Sequence, residues 1–233
     1  MQLISARIAR ITQATPTIKA FELEVTDPGF KYLPGQWIEV SVEIDGEIKT
    51  SGYSVTTSPS QRGSVGLAIK SSSTHPVTRW LHQAKKGDTL KITRGQGPFV
   101  FVPDMGEDIV LIGGGVGVTP LLSIWRYVRD ACPETHATLY YSVSHPDEIL
   151  FRDELEQSAR KYTHVSLEIT VTQTCKGWQG QTGRINKHKI AALNAPPNTL
   201  FYLCGPPGMV DDMVQFLREL GVPASRIIFE KWW

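Results

Sequence analysis

Two rhythms of apolar residues divide the chain. Up to about residue 104 apolar and polar positions alternate one by one. Phe21-Glu22-Leu23-Glu24-Val25 does so, Trp37 to Ile44 places Ile38, Val40, Val42 and Ile44 on one face, and Val65, Leu67 and Ile69 repeat the period of two. Turn residues stand between these runs: Asp27-Pro28-Gly29, Leu33-Pro34-Gly35, Asp45-Gly46 and Gln61-Arg62-Gly63. One helix, Val77 to Ala84, is expected in this half. Many short strands with a single helix predict an antiparallel β-barrel, closed so that no long edge is exposed.

From Asp108 the rhythm changes. Apolar runs at Ile109–Ile112, Thr138–Val143, Ser166–Thr172 and Thr199–Cys204 read as strands. Between and after them, Thr119–Ala131, Ile149–Lys161, Asn186–Ala192 and Pro207–Leu220 read as helices. This alternation predicts an α/β domain, a parallel sheet covered on both faces and joined by right-handed crossovers. The change falls at Val102-Pro103-Asp104-Met105-Gly106, which gives expected domains of 1–104 and 105–233.

Composition narrows the function classes. The 233 residues are 41% hydrophobic, enough to furnish cores and to exclude wholesale disorder. A formal charge of +1 argues against nucleic-acid binding through bulk positive charge. Cys132, Cys175 and Cys204 are far apart, so neither a disulfide scaffold nor an iron–sulfur ligand set is expected. The six histidines show no paired spacing, which leaves no expected metal site, and no Gly-x-Ser-x-Gly elbow occurs. The longest charge-free stretch, Ile109 to Trp125, is broken by glycines and Pro120, and a membrane span needs about 20 unbroken apolar residues. With arginines inside its apolar pattern, Met1 to Ile11 does not read as a secretory signal. The expected protein is soluble and cytoplasmic.

Three segments carry candidate chemistry. In Ile109-Val-Leu-Ile-Gly113-Gly-Gly-Val-Gly117-Val-Thr119-Pro120 a buried strand runs into a glycine turn and a helix. Gly115 and Gly117 admit close backbone approach, Thr119 is placed to cap, and Pro120 suits the first helical position. Such a helix start offers free N–H groups to a pyrophosphate; the same glycines also serve plain strand–helix packing. Leu203-Cys204-Gly205-Pro206-Pro207-Gly208-Met209 is a second strand-to-helix turn, and two such turns border one crevice at the carboxyl ends of an open sheet. Cys204 reads either as a small buried hydrophobe or as a residue of that crevice. In Ser51-Gly52-Tyr53-Ser54-Val55-Thr56-Thr57-Ser58-Pro59, a ring flanked by hydroxyls suits a flat cofactor, although the segment also passes as ordinary strand.

Taken together, Gly-x-Gly-x-x-Pro, Cys-Gly-Pro-Pro and the terminal Glu-Lys-aromatic-Trp resemble, in order and spacing, the ferredoxin–NADP reductase family over nearly the whole chain. Within it, Gly-Tyr-Ser-Val-Thr-Thr-Ser-Pro, Ile-Gly-Gly-Gly-Val-Gly-Val-Thr-Pro-Leu-Leu-Ser-Ile and Phe-Glu-Lys-Trp-Trp resemble the oxidoreductase NAD-binding domain-containing proteins. The resemblance implies a flavin-binding barrel followed by an NAD(P)-binding α/β domain. It implies that Tyr53 stacks on the isoalloxazine of FAD, rather than FMN, with Ser54 near flavin N5 and Val55 beside them. It places Gly115, Gly117, Thr119, Cys204, Gly205, Pro206 and Pro207 at the NAD(P)H site, with Cys204 near the nicotinamide. Glu230 becomes an active-site carboxylate, and Trp233 an aromatic that covers the flavin; taken alone, Trp232-Trp233 reads as an apolar tail. Ser54, Cys204 and Glu230 are therefore the expected catalytic residues.

The chain departs from the family pattern at the flavin phosphates. Ser51 stands where the family has Arg, and His75-Pro76-Val77-Thr78 keeps Thr78 but loses a glycine. Lys70 or Arg79 is the expected substitute cation. For the coenzyme, NADPH-dependent relatives carry Ser-Arg where this chain has Thr172-Gln173, which favours NADH because a neutral Gln makes no charge-assisted pair with a 2′-phosphate. Lys176 is a possible rescuer of NADPH binding. The expected activity is hydride transfer from NAD(P)H to FAD, with electrons passing to a separate acceptor, a small molecule or a redox protein. The alternative is a dinucleotide-binding module that has lost tight flavin binding.

Overall fold

The computed structural model describes residues 3–173 and 176–231. The N-terminal half is an antiparallel sheet of six strands: β1 (Ile4–Gln13), β2 (Ile18–Glu24), β3 (Trp37–Ile44), β4 (Glu47–Ser54), β5 (Ser64–Lys70) and β6 (Thr89–Ile92). In space they run β4-β3-β6-β1-β2-β5. The sheet curls until its outer strands meet at the Val55–Leu67 bridge and the Thr56 N–H to Gly66 carbonyl bond of 2.9 Å. Inward alternation produces the core: Ile8, Leu23, Ile38, Val40, Val65, Leu67 and Ile92 are buried together. The β3–β4 hairpin turns at Asp45 and Gly46, both at positive φ (53° and 79°), as the twist of two paired strands requires. Helix α1 (Pro76–Gln83) closes one end with Val77 and Leu81.

The C-terminal half is a parallel sheet of β7 (Asp108–Gly114), β8 (His136–Val143), β9 (Val165–Val171), β10 (Gln181–Thr182), β11 (Leu200–Gly205) and β12 (Ile227–Lys231), in the order β10-β9-β8-β7-β11-β12. Successive residues of β7 serve opposite cores. Ile109 and Leu111 pack with α2 (Val118–Ala131) and α3 (Arg152–Lys161), whereas Val110 and Ile112 pack with α4 (Lys187–Ala191) and α5 (Pro207–Glu219). The chain leaves β7 toward β8 and β9, then crosses back to β11 and β12. The strand order therefore reverses between β7 and β11, and a ligand crevice opens at their carboxyl ends.

Several boundaries differ from the periodicity. Helix α3 starts at Arg152 rather than Ile149, because Ile149 and Leu150 are buried in a loop and Phe151 takes a left-handed conformation (φ 56°). Asn186 caps α4 from outside, its side chain accepting the Lys189 N–H at 3.0 Å. The Thr119 hydroxyl does not cap α2. A 3₁₀ turn at Gly115–Gly117 runs straight into a helix that begins at Val118, and the hydroxyl instead donates back to the Val116 carbonyl at 2.9 Å. Pro120 is consequently the third helical residue, where its missing N–H still costs no bond.

The halves are fastened by buried contacts. Tyr202 of β11 donates to the Val100 carbonyl at 3.0 Å, with the edges of Phe99 and Phe101 against its ring. Ser123 and Arg126 of α2 donate to the carbonyls of Thr57 and Thr56 at 2.7 and 2.6 Å. Among the described residues no helix is long and apolar enough to cross a membrane, and no group of three or more His, Cys, Asp or Glu is arranged to hold a metal ion.

Candidate active site

Two cavities flank the carboxyl end of β11: residues of β12 paired with Cys204 and Gly205 line one, and Pro206, which follows β11, lines the other. The first, of about 530 Å³, is walled by Trp37, Ser51 and Tyr53 of the barrel sheet, by His75 and Thr78 at the start of α1, and by Glu230 and Lys231 of β12. Four successive residues of β4, Thr50 to Tyr53, line this wall, with Ser51 and Tyr53 in register with Val40 and Ile38 of β3. The Tyr53 hydroxyl hydrogen-bonds to that of Thr78 at 2.9 Å. Burial pushes the Tyr53 phenol up, while hydrogen bonds from Thr78 and Ser51 pull it back part of the way. The predicted Ser51, Tyr53 and Thr78 are thus brought together. Ser54 closes β4, and Val55 behind it is fully buried, its N–H on the Gln36 carbonyl.

Of the predicted residues Glu230 lines this cavity and Ser54 lines neither, and Glu230 Oε2 and Ser54 Oγ are both buried without a protein partner among the described residues. Burial raises the Glu230 carboxyl above its ordinary value. A buried carboxyl oxygen left unpaired on a wall that also carries Tyr53 is unfavourable in an empty protein and suits a flat heterocycle with polar edges. At the other end of the cavity, the first turn of α1 has neither an acidic residue nor a side-chain cap, so its amides remain available to an anion. The residues present fit a flavin nucleotide.

The second cavity, of about 550 Å³, lies across β11. It is walled by Gly114, Gly115 and Val116 of the glycine turn, Pro206 and Gly208 at the start of α5, Thr172 beyond β9, and Thr17, Ile18 and Lys70 from the barrel half. Gly117 lies against β11: a methyl there would sit 2.5 Å from Gly205 Cα. Cys204 is fully buried and lines neither cavity; it lies in register with Gly113 of β7 and Glu230 of β12. Gly205 ends β11, Pro206 precedes α5 and Pro207 opens it.

The expected cations fall elsewhere than beside Ser51. Lys70, at the end of β5, faces the second cavity, and Arg79 is exposed and lines neither. The cation that does line the first cavity is Lys231, held by Asp211 at 2.6 Å. Lys176 lines a separate groove beside Trp178, whereas Arg184, which motif reading missed, shares the second cavity with Thr172. No spacing rule marks Arg184; it arrives there because β10 pairs with β9 and carries the following residues back toward the strand ends. Trp233, with Trp232 and Cys175, lies outside the described residues.

Comparison with known proteins accords with this arrangement. Residues 5–101 match the oxidoreductase FAD-binding domain and residues 111–215 the oxidoreductase NAD-binding domain. The chain is 33% identical to oxidoreductase NAD-binding domain-containing protein 1 of Danio rerio, over 100% of this chain and 93% of that one. It is 26% identical to ferredoxin–NADP reductase B of Sorangium cellulosum, over 97% of this chain and 96% of that one. In fold it is similar to a ferredoxin NADP⁺ reductase from Neisseria gonorrhoeae with bound FAD and NADP, at a TM-score of 0.85 and 21% identity over 99% of each chain. With a curled antiparallel FAD-binding half, a parallel NAD-binding half and relatives along its whole length, the chain belongs to the ferredoxin–NADP reductase family, among the oxidoreductase NAD-binding domain-containing proteins.

Proposed function

We propose that this protein is an FAD-dependent NAD(P)H oxidoreductase that delivers electrons to a separate acceptor, with FAD in the first cavity and the nicotinamide dinucleotide in the second. One observation carries the reading: Glu230 and Lys231, which line the first cavity, are in register with Cys204 and Gly205 at the end of β11, and the next residue, Pro206, lines the second. The functional unit is divided at residues 104 and 105, within the 3₁₀ turn Pro103–Met105.

When bound, the flavin supplies the capacity to take up a hydride and to release electrons singly or in pairs. The chain's residues bind, orient and exclude water. Tyr53 offers its ring as the stacking surface and Ser54 Oγ a hydrogen bond to the cofactor's edge. Thr78 and the free amides of α1 face the phosphates. The glycine turn and the start of α5 take the dinucleotide pyrophosphate, with Lys70 as counter-charge. Cys204 lies in register with Glu230 at the end of β11, and Glu230 Oε2, held protonated more readily by its burial, stores a proton at the first cavity. Thr172-Gln173 still favours NADH, while Arg184 on the same cavity wall supports a 2′-phosphate.

The visible spectrum of the purified protein, with FAD and then NADH or NADPH added without oxygen, tests this. Bound flavin absorbance that bleaches with a nicotinamide coenzyme is expected, and failure to bind FAD refutes the reading. That failure is the outcome favoured by the rival, a dinucleotide-binding module, for which uncharged Ser51 and the engagement of Lys231 by Asp211 argue.

A further inference from the structure

Away from both cavities, Arg126 is only 6% exposed, an unusual place for a guanidinium. Its Nε donates to Glu154 Oε1 at 2.8 Å, its Nη2 donates to Glu154 Oε2, and its Nη1 donates to the Thr56 carbonyl at 2.6 Å. The Phe151 ring lies 4.6 Å from the guanidinium carbon. Glu154 is held in turn by Arg129 at 2.9 Å. One turn earlier on α2, Ser123 donates to the Thr57 carbonyl. Thr56 and Thr57 follow the Tyr53-Ser54 pair after one intervening residue, Val55, and Tyr32 and Gly66 bind the same short segment.

Two facts make this more than packing. An ion pair whose carboxylate is still 36% exposed is a poor device for stability, and well-packed apolar side chains around the buried end would usually serve as well or better. What a forked, doubly bonded guanidinium provides is fixed geometry. Here that geometry joins α2, whose first turn follows the glycine turn of the second cavity, to the strand exit that carries the flavin-facing residues of the first. From Thr119 to Arg126 is seven residues, about 10 Å of rigid helix.

We propose that Arg126 is a positioning residue. Clamped by Glu154 and Phe151, it fixes the exit of β4 to α2, so that one helix sets the spacing between the flavin-binding and dinucleotide-binding sites. Ser123 is the second pin of the same clamp. This rests on the reading that those cavities take flavin and nicotinamide dinucleotide.

The test uses the whole chain loaded with FAD. Arg126→Met, Arg126→Lys and Ser123→Ala are compared with the wild type for FAD affinity, for NADH affinity and for the rate of anaerobic flavin bleaching by NADH. A small misplacement of bound reactants costs rate without costing binding, so Arg126→Met should bleach about tenfold or more slowly with both affinities within about threefold. Arg126→Lys, which keeps the charge but not the fork, should recover only part of the rate. Ser123→Ala, which removes a single oxygen atom, should slow bleaching by about threefold. In the flavin-free protein, amide exchange at residues 55–57 should accelerate in Arg126→Met and stay unchanged in β8 and β9. Wild-type bleaching rates in Arg126→Met, or a rate loss matched by equal loss of FAD binding, overturn the clamp alone. A wild type that binds no FAD overturns the reading of the site and the clamp with it.

Discussion

Replacing Gly117 by alanine isolates the close approach on which the dinucleotide site depends. Gly117 has φ −63° and ψ −8°, values any residue adopts, so its requirement for glycine is not conformational. It is steric. An added methyl would stand 2.5 Å from Gly205 Cα, 2.7 Å from Gly205 N and 2.9 Å from the Cys204 carbonyl carbon. Ordinary contact between such atoms is about 3.5–4.0 Å, so the turn and the end of β11 must part by roughly 1 Å. No rotamer can absorb this, because every opposing atom is backbone and β11 is paired on both sides. Overpacking of this kind costs about 1–3 kcal/mol, which for a chain of this size lowers the melting temperature by roughly 2–10 °C. The parted elements carry Gly115 and Pro206, so NADH affinity should fall about tenfold or more while FAD affinity holds. Thermal unfolding of the flavin-free protein and parallel titrations with NADH and FAD measure both effects. Gly115→Ala is the counterpart: it has open space but a φ of +54°, and should cost only the roughly 1–2 kcal/mol of a left-handed conformation. A Gly117→Ala protein with wild-type melting and wild-type NADH affinity refutes the argument.

Three further outcomes are expected. Tyr202→Phe leaves the Val100 carbonyl without its donor between the two halves, at a cost of about 1 kcal/mol or a 2–4 °C fall in calorimetric melting temperature; no change would show that the bond contributes nothing. Burial raises the Glu230 carboxyl, so the folded protein binds its proton more tightly than the unfolded chain does. Its stabilising contribution is complete below the unfolded pKa and is lost as pH rises through the folded one, and Glu230→Gln should gain melting temperature relative to wild type as pH rises past the ordinary carboxylate value. A difference that stays flat with pH counts against this. Arg184→Ala should raise the Michaelis constant for NADPH by about tenfold and leave that for NADH nearly unchanged; equal effects on both would remove Arg184 from the 2′-phosphate.

Much of the fold was legible because it is written in local signals. Alternation with a period of two along β2, β3 and β5, and glycine turns between apolar strands and helices at residues 113–119 and 203–208, depend only on neighbours in the chain. Where neighbours failed to decide, the reading missed. Thr119 and Pro120 moved inward along α2 because a 3₁₀ turn, indistinguishable in sequence from a loop, preceded the helix. The start of α3 moved because a left-handed Phe151 overrode the apolar pattern.

The amino-acid order by itself determined the two halves, the strand–turn–helix units and the identity of the residues at their turns, since these rest on periodicity, backbone sterics and hydrogen-bond satisfaction within a few residues. The tertiary structure alone decided which charges meet which site. Lys70 faces the cavity of the glycine turn rather than that of Ser51, Arg184 rather than Lys176 shares a cavity with Thr172, and Arg126 was drawn out of water to join the halves. The physical reason is range. A side chain's place in a cavity follows from strand order and sheet pairing, which bring together residues as far apart as Thr56 and Arg126, 70 positions, and leave no mark in the local pattern of either.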